Sequence, residues 1–217
     1  MKKLNYKWIY GLIALLVVAG NSLIVYAATN TSKPIKDIFP DPVIAKLVAT
    51  DLSMTVEDIV SDEDLLEVEL LSPGEEKVTS LQGIDRLENL KVLYLDDQKI
   101  DDLSLISSLT KLEDLSLERV GLSDVSLIAK LTSLEELYLG DNEMNDISAL
   151  AKLTNLKTLS LFGNEISDVR TLASLKDLQT LNLAQTAIDN DGIRSSQING
   201  YFLCKRKQSH ESILFSV

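Results

Sequence analysis

The chain is poor in cysteine, histidine and basic residues, and each shortage closes off a class of protein. Cys204 is the one cysteine among 217 residues, so no intrachain disulfide staples the fold. His210 is the one histidine, which leaves almost no material for a histidine-based triad or a multi-histidine metal centre. Lysine and arginine number 21 against 33 aspartate and glutamate, a net charge of −12. Nucleic acid and anionic headgroups are poor partners for such a surface, because phosphate recognition needs clustered cations. A cationic partner, or one met through apolar contacts, fits better.

What the chain does have is a strict period. Leu90, Leu112, Leu134, Leu156 and Leu178 are spaced 22 apart, as are Leu93, Leu115, Leu137, Leu159, Leu181 and Leu95, Leu117, Leu139, Leu161, Leu183. A helix stripe keeps intervals of 3 and 4, whereas here the interval drops to 2 in every unit. An L-x-x-L-x-L core on this period is the signature of a leucine-rich-repeat solenoid. In "ELYLG", Leu137 and Leu139 point inward and Tyr138 outward if the segment is extended.

The series Ile100, Leu122, Met144, Ile166, Ile188, then Leu103, Val125, Ile147, Val169, then Ile106, Ile128, Leu150, Leu172, brings each coil back to the core across a short 3-10-like segment. One coil hides its leucines only when stacked on others. The expectation is an α/β solenoid with a parallel concave sheet, a 3-10 or irregular convex side, and about five repeats over residues 68–188.

Residues 1–28 place Lys2, Lys3 and Lys7 before an apolar run that ends in small residues, the pattern of a secretory signal. An uncleaved anchor is the rival reading, since Trp8 to Ala28 is nominally long enough to span a bilayer. A membrane is a partner only in that case. Without the three signal lysines, 18 basic residues face 33 acidic ones.

Residues 29–67 read as a helical N-terminal cap. Pro42 follows Asp41, a candidate N-cap, and Val43, Ile44, Leu47 and Val48 come at helical spacing. Ser61 with Asp64 resembles a capping box ahead of Leu65 and Leu66. With "IFPDPVIAKLVA" and "NLKTLSLFGNEISDVRTLASL" both present, the chain resembles the internalin family of bacterial surface proteins over residues 34 to 188. That resemblance implies an exported, right-handed solenoid whose concave face binds a host or surface protein, with no catalysis and no cofactor.

The family's asparagine after the strand is kept at Asn142 and Asn164, whose amides would form a structural ladder between coils. Gln98, Val120 and Thr186 stand at the equivalent places, so the first and last repeats are expected to be looser. The family's outer-segment proline is replaced by Leu105, Leu127, Ala149 and Thr171.

The period fails after Ile188. Residues 189–217 carry no repeat and no L-P-x-T-G-like sorting motif. Two readings stand for this tail: an end cap using Ile193, Ile198, Tyr201, Phe202 and Leu203, or the product of a truncated or frame-disrupted reading frame. "DNDG" at Asp189 to Gly192 reads as a turn and not as a calcium loop. Lys205, Arg206 and Lys207 are too few to anchor the chain to a membrane.

The outward strand positions form the candidate binding face: Val92, Tyr94 and Asp96; Asp114, Ser116 and Glu118; Glu136, Tyr138 and Asp141; Thr158, Ser160 and Phe162; Thr180 and Asn182. Tyr94, Tyr138 and Phe162 are aromatic among carboxylates, and binding surfaces favour aromatic anchors. Asp102, Asp124, Asp146 and Asp168 recur once per coil on the outer side as expected acceptors of backbone hydrogen bonds.

The expected function is an exported, non-enzymatic protein-binding module on the surface of a bacterium or secreted by it, with an adhesion or virulence role. The alternative is an incompletely capped fragment of a longer surface protein without binding function of its own.

Overall fold

A computed structural model describes residues 15–19, 22–26 and 32–188. The segment expected to be an export signal therefore lies largely outside the described residues, and the whole tail, with His210 and the Lys205 to Lys207 run, lies outside them too. Strands β1 (Leu15–Ala19) and β2 (Ser22–Tyr26) pair antiparallel, Leu15 opposite Tyr26, in a unit separate from the rest. No helix among the described residues is long and apolar enough to cross a membrane.

The second unit begins with strand β3 (Lys33–Pro34) and helices α1 (Ile35–Ile38) and α2 (Pro42–Asp51). Strand β4 (Ile59–Val60) pairs antiparallel with β3, and helix α3 (Asp62–Leu65) follows. Asp41 is the N-cap of α2, its Oδ1 accepting from the amides of Val43 at 3.0 Å and Ile44 at 3.2 Å. Pro42 takes the first helical position, where its missing N–H costs nothing. The capping box at Ser61 is complete: the Ser61 amide donates to Asp64 at 2.9 Å and the Asp64 amide donates to the Ser61 hydroxyl at 3.3 Å. Ile35, Phe39, Ile44, Val48 and Leu65 bury their side chains beneath these elements.

Then the coils begin. Strands β5 (Leu70–Leu71), β6 (Val92–Tyr94), β7 (Asp114–Ser116), β8 (Glu136–Tyr138), β9 (Thr158–Ser160) and β10 (Thr180–Asn182) form one parallel sheet in sequence order. Register advances by one repeat per strand, so Leu71 lies beside Leu93, Leu93 beside Leu115, and so on to Leu159 beside Leu181. The sheet is one strand longer than five repeats give. Val68, Leu71 and Pro73 occupy the places of Leu90, Leu93 and Leu95, and substitution at two of the three hides this coil from a search for leucines.

Short 3-10 segments cross the opposite side, Ser104–Ser108, Val125–Ile128, Ser148–Lys152 and Arg170–Ser174 among them. Each starts beside an aspartate that accepts the amide two residues on: Asp102 from Ser104, Asp124 from Ser126, Asp146 from Ser148 and Asp168 from Arg170, all at 2.8 to 3.0 Å. The outer aspartates thus take the role that their spacing suggests, one Asx turn per coil.

The bend between strand and outer segment rests on residues with positive φ: Asp97, Arg119, Asp141, Gly163 and Gln185, again 22 apart. Their amides stay in the inter-coil ladder, since those of Asp97, Arg119, Asp141 and Gly163 donate to the carbonyls of Glu118, Gly140, Phe162 and Ala184. Four of the five are not glycine, and each carries a backbone cost on the order of 1 kcal/mol.

Asn142 and Asn164 build the expected ladder. The Asn142 amide nitrogen donates to the carbonyls of Leu117 and Leu139 at 2.7 and 3.0 Å while its oxygen accepts from Leu122 at 2.9 Å. Asn164 repeats the pattern on Leu139, Leu161 and Met144. Gln98, read as a gap from sequence, is fully buried and accepts the amide of Val78 at 2.9 Å while donating to Asp96. Its extra methylene still lets the carboxamide reach the previous coil, so the gap on this side lies at Val120, which has no polar side-chain atom. Near the start of the array, Ile100 and Leu103 on the outer side are half-buried while Leu93 and Leu95 are closed. At the last strand Leu181 is half-buried where Leu159 is fully buried.

Candidate functional site

The concave surface is laid out in rows by the strand register. One row runs Leu70, Val92, Asp114, Glu136, Thr158, Thr180, and the next runs Tyr94, Ser116, Tyr138, Ser160, Asn182. Because every strand of this sheet is three residues or fewer, each coil presents only its two outward side chains and the residue after the strand.

Not all of the sequence-derived face is open. Ser116 and Ser160 are 6% and 8% exposed and sit as floor between larger neighbours. Asp141 falls one residue out of series. Gly140 holds the position of Asp96, Glu118 and Phe162, and Asp141 instead occupies the left-handed bend in line with Asp97 and Arg119. Glu118 and Phe162 close in over Gly140, where a Cβ would lie 3.1 Å from the Glu118 carboxylate and 3.5 Å from the Phe162 ring. Leu70, 51% exposed at the start of the first row, was missed by the leucine count because its coil lacks the leucine comb.

The two tyrosines are half-buried, and each donates its hydroxyl to a carboxylate of the face. Tyr94 donates to Asp114, and Tyr138 donates to Glu136 at 2.6 Å. The bond to Asp114, with burial second, pushes the Tyr94 hydroxyl up to about 12. Burial first, then the bond to Glu136, pushes the Tyr138 hydroxyl above its ordinary range. Both tyrosines are therefore fixed, neutral donors.

Asp114 itself is raised. Burial disfavours its charge, the Tyr94 hydrogen bond works in the opposite direction, and Glu136 on the adjacent strand adds repulsion. Its Oδ1 is closed from solvent and has no hydrogen-bond partner.

The remaining acids are organised differently. Asp96 accepts the Ser116 hydroxyl at 2.6 Å and the Glu118 amide at 2.8 Å, so it ties two strands together. Arg119 pairs with both oxygens of Asp97 at 2.7 and 2.9 Å and with Glu118 at 3.1 Å. Among the described residues no group of three or more histidine, cysteine, aspartate or glutamate side chains is arranged to hold a metal ion.

Residues 25–65 match the family described as bacterial adhesion/invasion protein N terminal, and residues 154–195 match leucine-rich repeats in two copies. Among curated proteins no match is found. Among solved structures, internalin InlF from Listeria monocytogenes is 32% identical with a TM-score of 0.67, the match covering 79% of this chain and 58% of that one. Internalin InlC2 from the same species is 34% identical with a TM-score of 0.64, covering 77% of this chain and 84% of that one. A leucine-rich-repeat protein from Leptospira interrogans is 27% identical with a TM-score of 0.55, covering 62% of this chain and 36% of that one. The chain thus spans little more than half of InlF but most of InlC2. With a family cap, a stacked 22-residue array and 34% identity to InlC2 over the 77% of this chain that aligns, the chain belongs to the internalin family of bacterial leucine-rich-repeat proteins.

Proposed function

We propose that this chain is an exported, non-enzymatic binding module that grips a protein partner on its concave sheet, with residues 1–28 as export signal, 29–67 as cap and 68–188 as the gripping array. Chains of this family are in general protein-interaction modules of bacterial surface or secreted proteins. An adhesion or virulence role fits that setting.

The observation that carries the reading is the row of half-buried Tyr94 and Tyr138, locked to Asp114 and Glu136 in the middle of a parallel sheet whose outward face no other element covers among the described residues. Rigid aromatic donors held at a fixed angle suit recognition, since little side-chain entropy is lost when a partner arrives. The test is affinity capture with the full chain from surface-protein extracts, followed by binding of the captured protein to Tyr138→Ala and Glu136→Ala variants. Both variants are expected to weaken binding roughly tenfold or more. Unchanged affinity in both, with loss on changing the convex side, contradicts the concave assignment.

A further inference from the structure

The first row of the concave face changes character along its length. Leu70, half exposed, and Val92 are apolar; Asp114 and Glu136 are acidic; Thr158 and Thr180 are neutral. Neighbouring strands lie about 4.8 Å apart, so Leu70 and Glu136 are separated by roughly 14 Å. An extended peptide covers that span in about four or five residues.

The acidic pair is uncompensated. Asp114 and Glu136 face one another across β7 and β8, an arrangement that like charges disfavour. Among the described residues no lysine or arginine forms an ion pair with either one. Arg119 on the same side of the coil is engaged by Asp97 and Glu118. Tyr94 and Tyr138 supply one neutral hydroxyl to each carboxylate, which leaves both charges without a cation among the described residues. A neutral partner would bury this charge uncompensated, and an acidic one would be repelled.

We infer that the concave sheet docks a basic segment of its protein partner, seating an aliphatic side chain on Leu70 and Val92 and a lysine or arginine over the Asp114 and Glu136 carboxylates. This rests on the concave-face reading above and gives it a charge and a direction. The neutral end at Thr158 and Thr180 contributes contact but no selection by charge.

The test titrates the full chain with a synthetic peptide in which one leucine precedes two lysines with glycine spacers. Amide chemical shifts and the dissociation constant are read, with glutamate-for-lysine and serine-for-leucine peptides alongside. The lysine peptide is expected to bind saturably, shifting Val92, Asp114 and Glu136. Asp114→Asn with Glu136→Gln is expected to weaken it roughly tenfold, and added salt to weaken it as well. The glutamate peptide is expected not to bind, and the serine peptide to bind less tightly.

Equal binding of the glutamate peptide, indifference to the double variant, shifts on the convex side, or no saturation at millimolar peptide each overturns the inference. The two levels separate cleanly. If Tyr138→Ala weakens capture of the protein partner but the charge variants do not, the basic-segment inference fails and the concave face stands. If Tyr138→Ala also has no effect, the concave face fails with it.

Discussion

The carboxylate of Asp41 reaches across to Thr79, accepting its backbone amide at 2.8 Å and its hydroxyl at 3.0 Å, while the same side chain caps α2. The Ser80 amide joins at 3.2 Å. One side chain, 3% exposed, therefore holds the helical cap onto the first coil. Asp41→Ala removes an N-cap worth about 0.5 to 2 kcal/mol and strands the Thr79 and Ser80 amides, each at a further cost of about 1 kcal/mol or more. A loss near 3 kcal/mol in urea unfolding is expected, and a loss within about 0.5 kcal/mol of zero would show that the cap is not held this way.

Asp41 also fixes a pH dependence. Burial pushes its pKa up, but hydrogen bonds from the Thr79, Ile44 and Ser80 amides and the Thr79 hydroxyl outweigh it, so the group sits below its ordinary value of 3.8. A carboxylate depressed on folding stabilises the fold above its unfolded pKa, and that contribution is lost as pH falls through the folded value. Melting temperatures of wild type and Asp41→Asn are therefore expected to differ most at neutral pH and to converge in acid. A gap that does not change with pH contradicts this.

Gly83 carries the other cap contact. Its φ is +89°, and a Cβ built there would lie 2.1 Å from the carbonyl oxygen of Ile38. Gly83→Ala meets both a left-handed backbone and a backbone clash that no side-chain rotation relieves. Destabilisation above about 2 kcal/mol is expected, read as faster amide exchange throughout α1 and α2.

Val120 interrupts the amide ladder between Gln98 and Asn142. By the spacing of Asn142 on Leu117 and Leu139, an asparagine at 120 would reach the carbonyls of Leu95 and Leu117. Val120→Asn is expected to gain about 1 kcal/mol, and Asn142→Ala, which strands several backbone groups at once, to lose about 3 kcal/mol or more. Thermal unfolding of the two variants in parallel checks both signs.

Asp114 sits on the opposite side of the stability balance. An acid whose pKa is raised on folding costs stability when ionised, and the cost vanishes below its unfolded pKa. Asp114→Asn is expected to raise the melting temperature slightly at neutral pH, by the equivalent of less than about 1 kcal/mol given its partial exposure, with the gain shrinking in acid. Residues that cost stability and touch no core are those a binding face retains.

How much of this was legible in advance follows from what a period reports. Spacing of 22 places each strand leucine, each 3-10 segment and each outer aspartate, because all of these repeat with identical local geometry. Asp41 as N-cap and the Ser61 to Asp64 box were equally readable, being contacts between residues two or three apart. The coil built on Val68, Leu71 and Pro73 was hidden because the shape of the position survived while its leucines did not. Gln98 was misjudged because residue type was weighed without the reach of its side chain. Asp141 stands one residue past the outward series because Gly140 holds that place, and the bend that Asp141 occupies takes residues of almost any type at positive φ. The hold of Asp41 on Thr79 joins residues far apart in the chain, and no local pattern announces it.

The most direct measurement is photo-crosslinking to the partner from two positions of the folded chain. Thr158 on the concave row and Lys152 on the 3-10 side are each replaced by a photoreactive benzoylphenylalanine, and the adduct with the captured partner is read by mass. The expected result is an adduct from position 158 and none from position 152. An adduct from 152 without one from 158 would mean that the partner sits on the convex side and that the concave sheet is not the gripping surface.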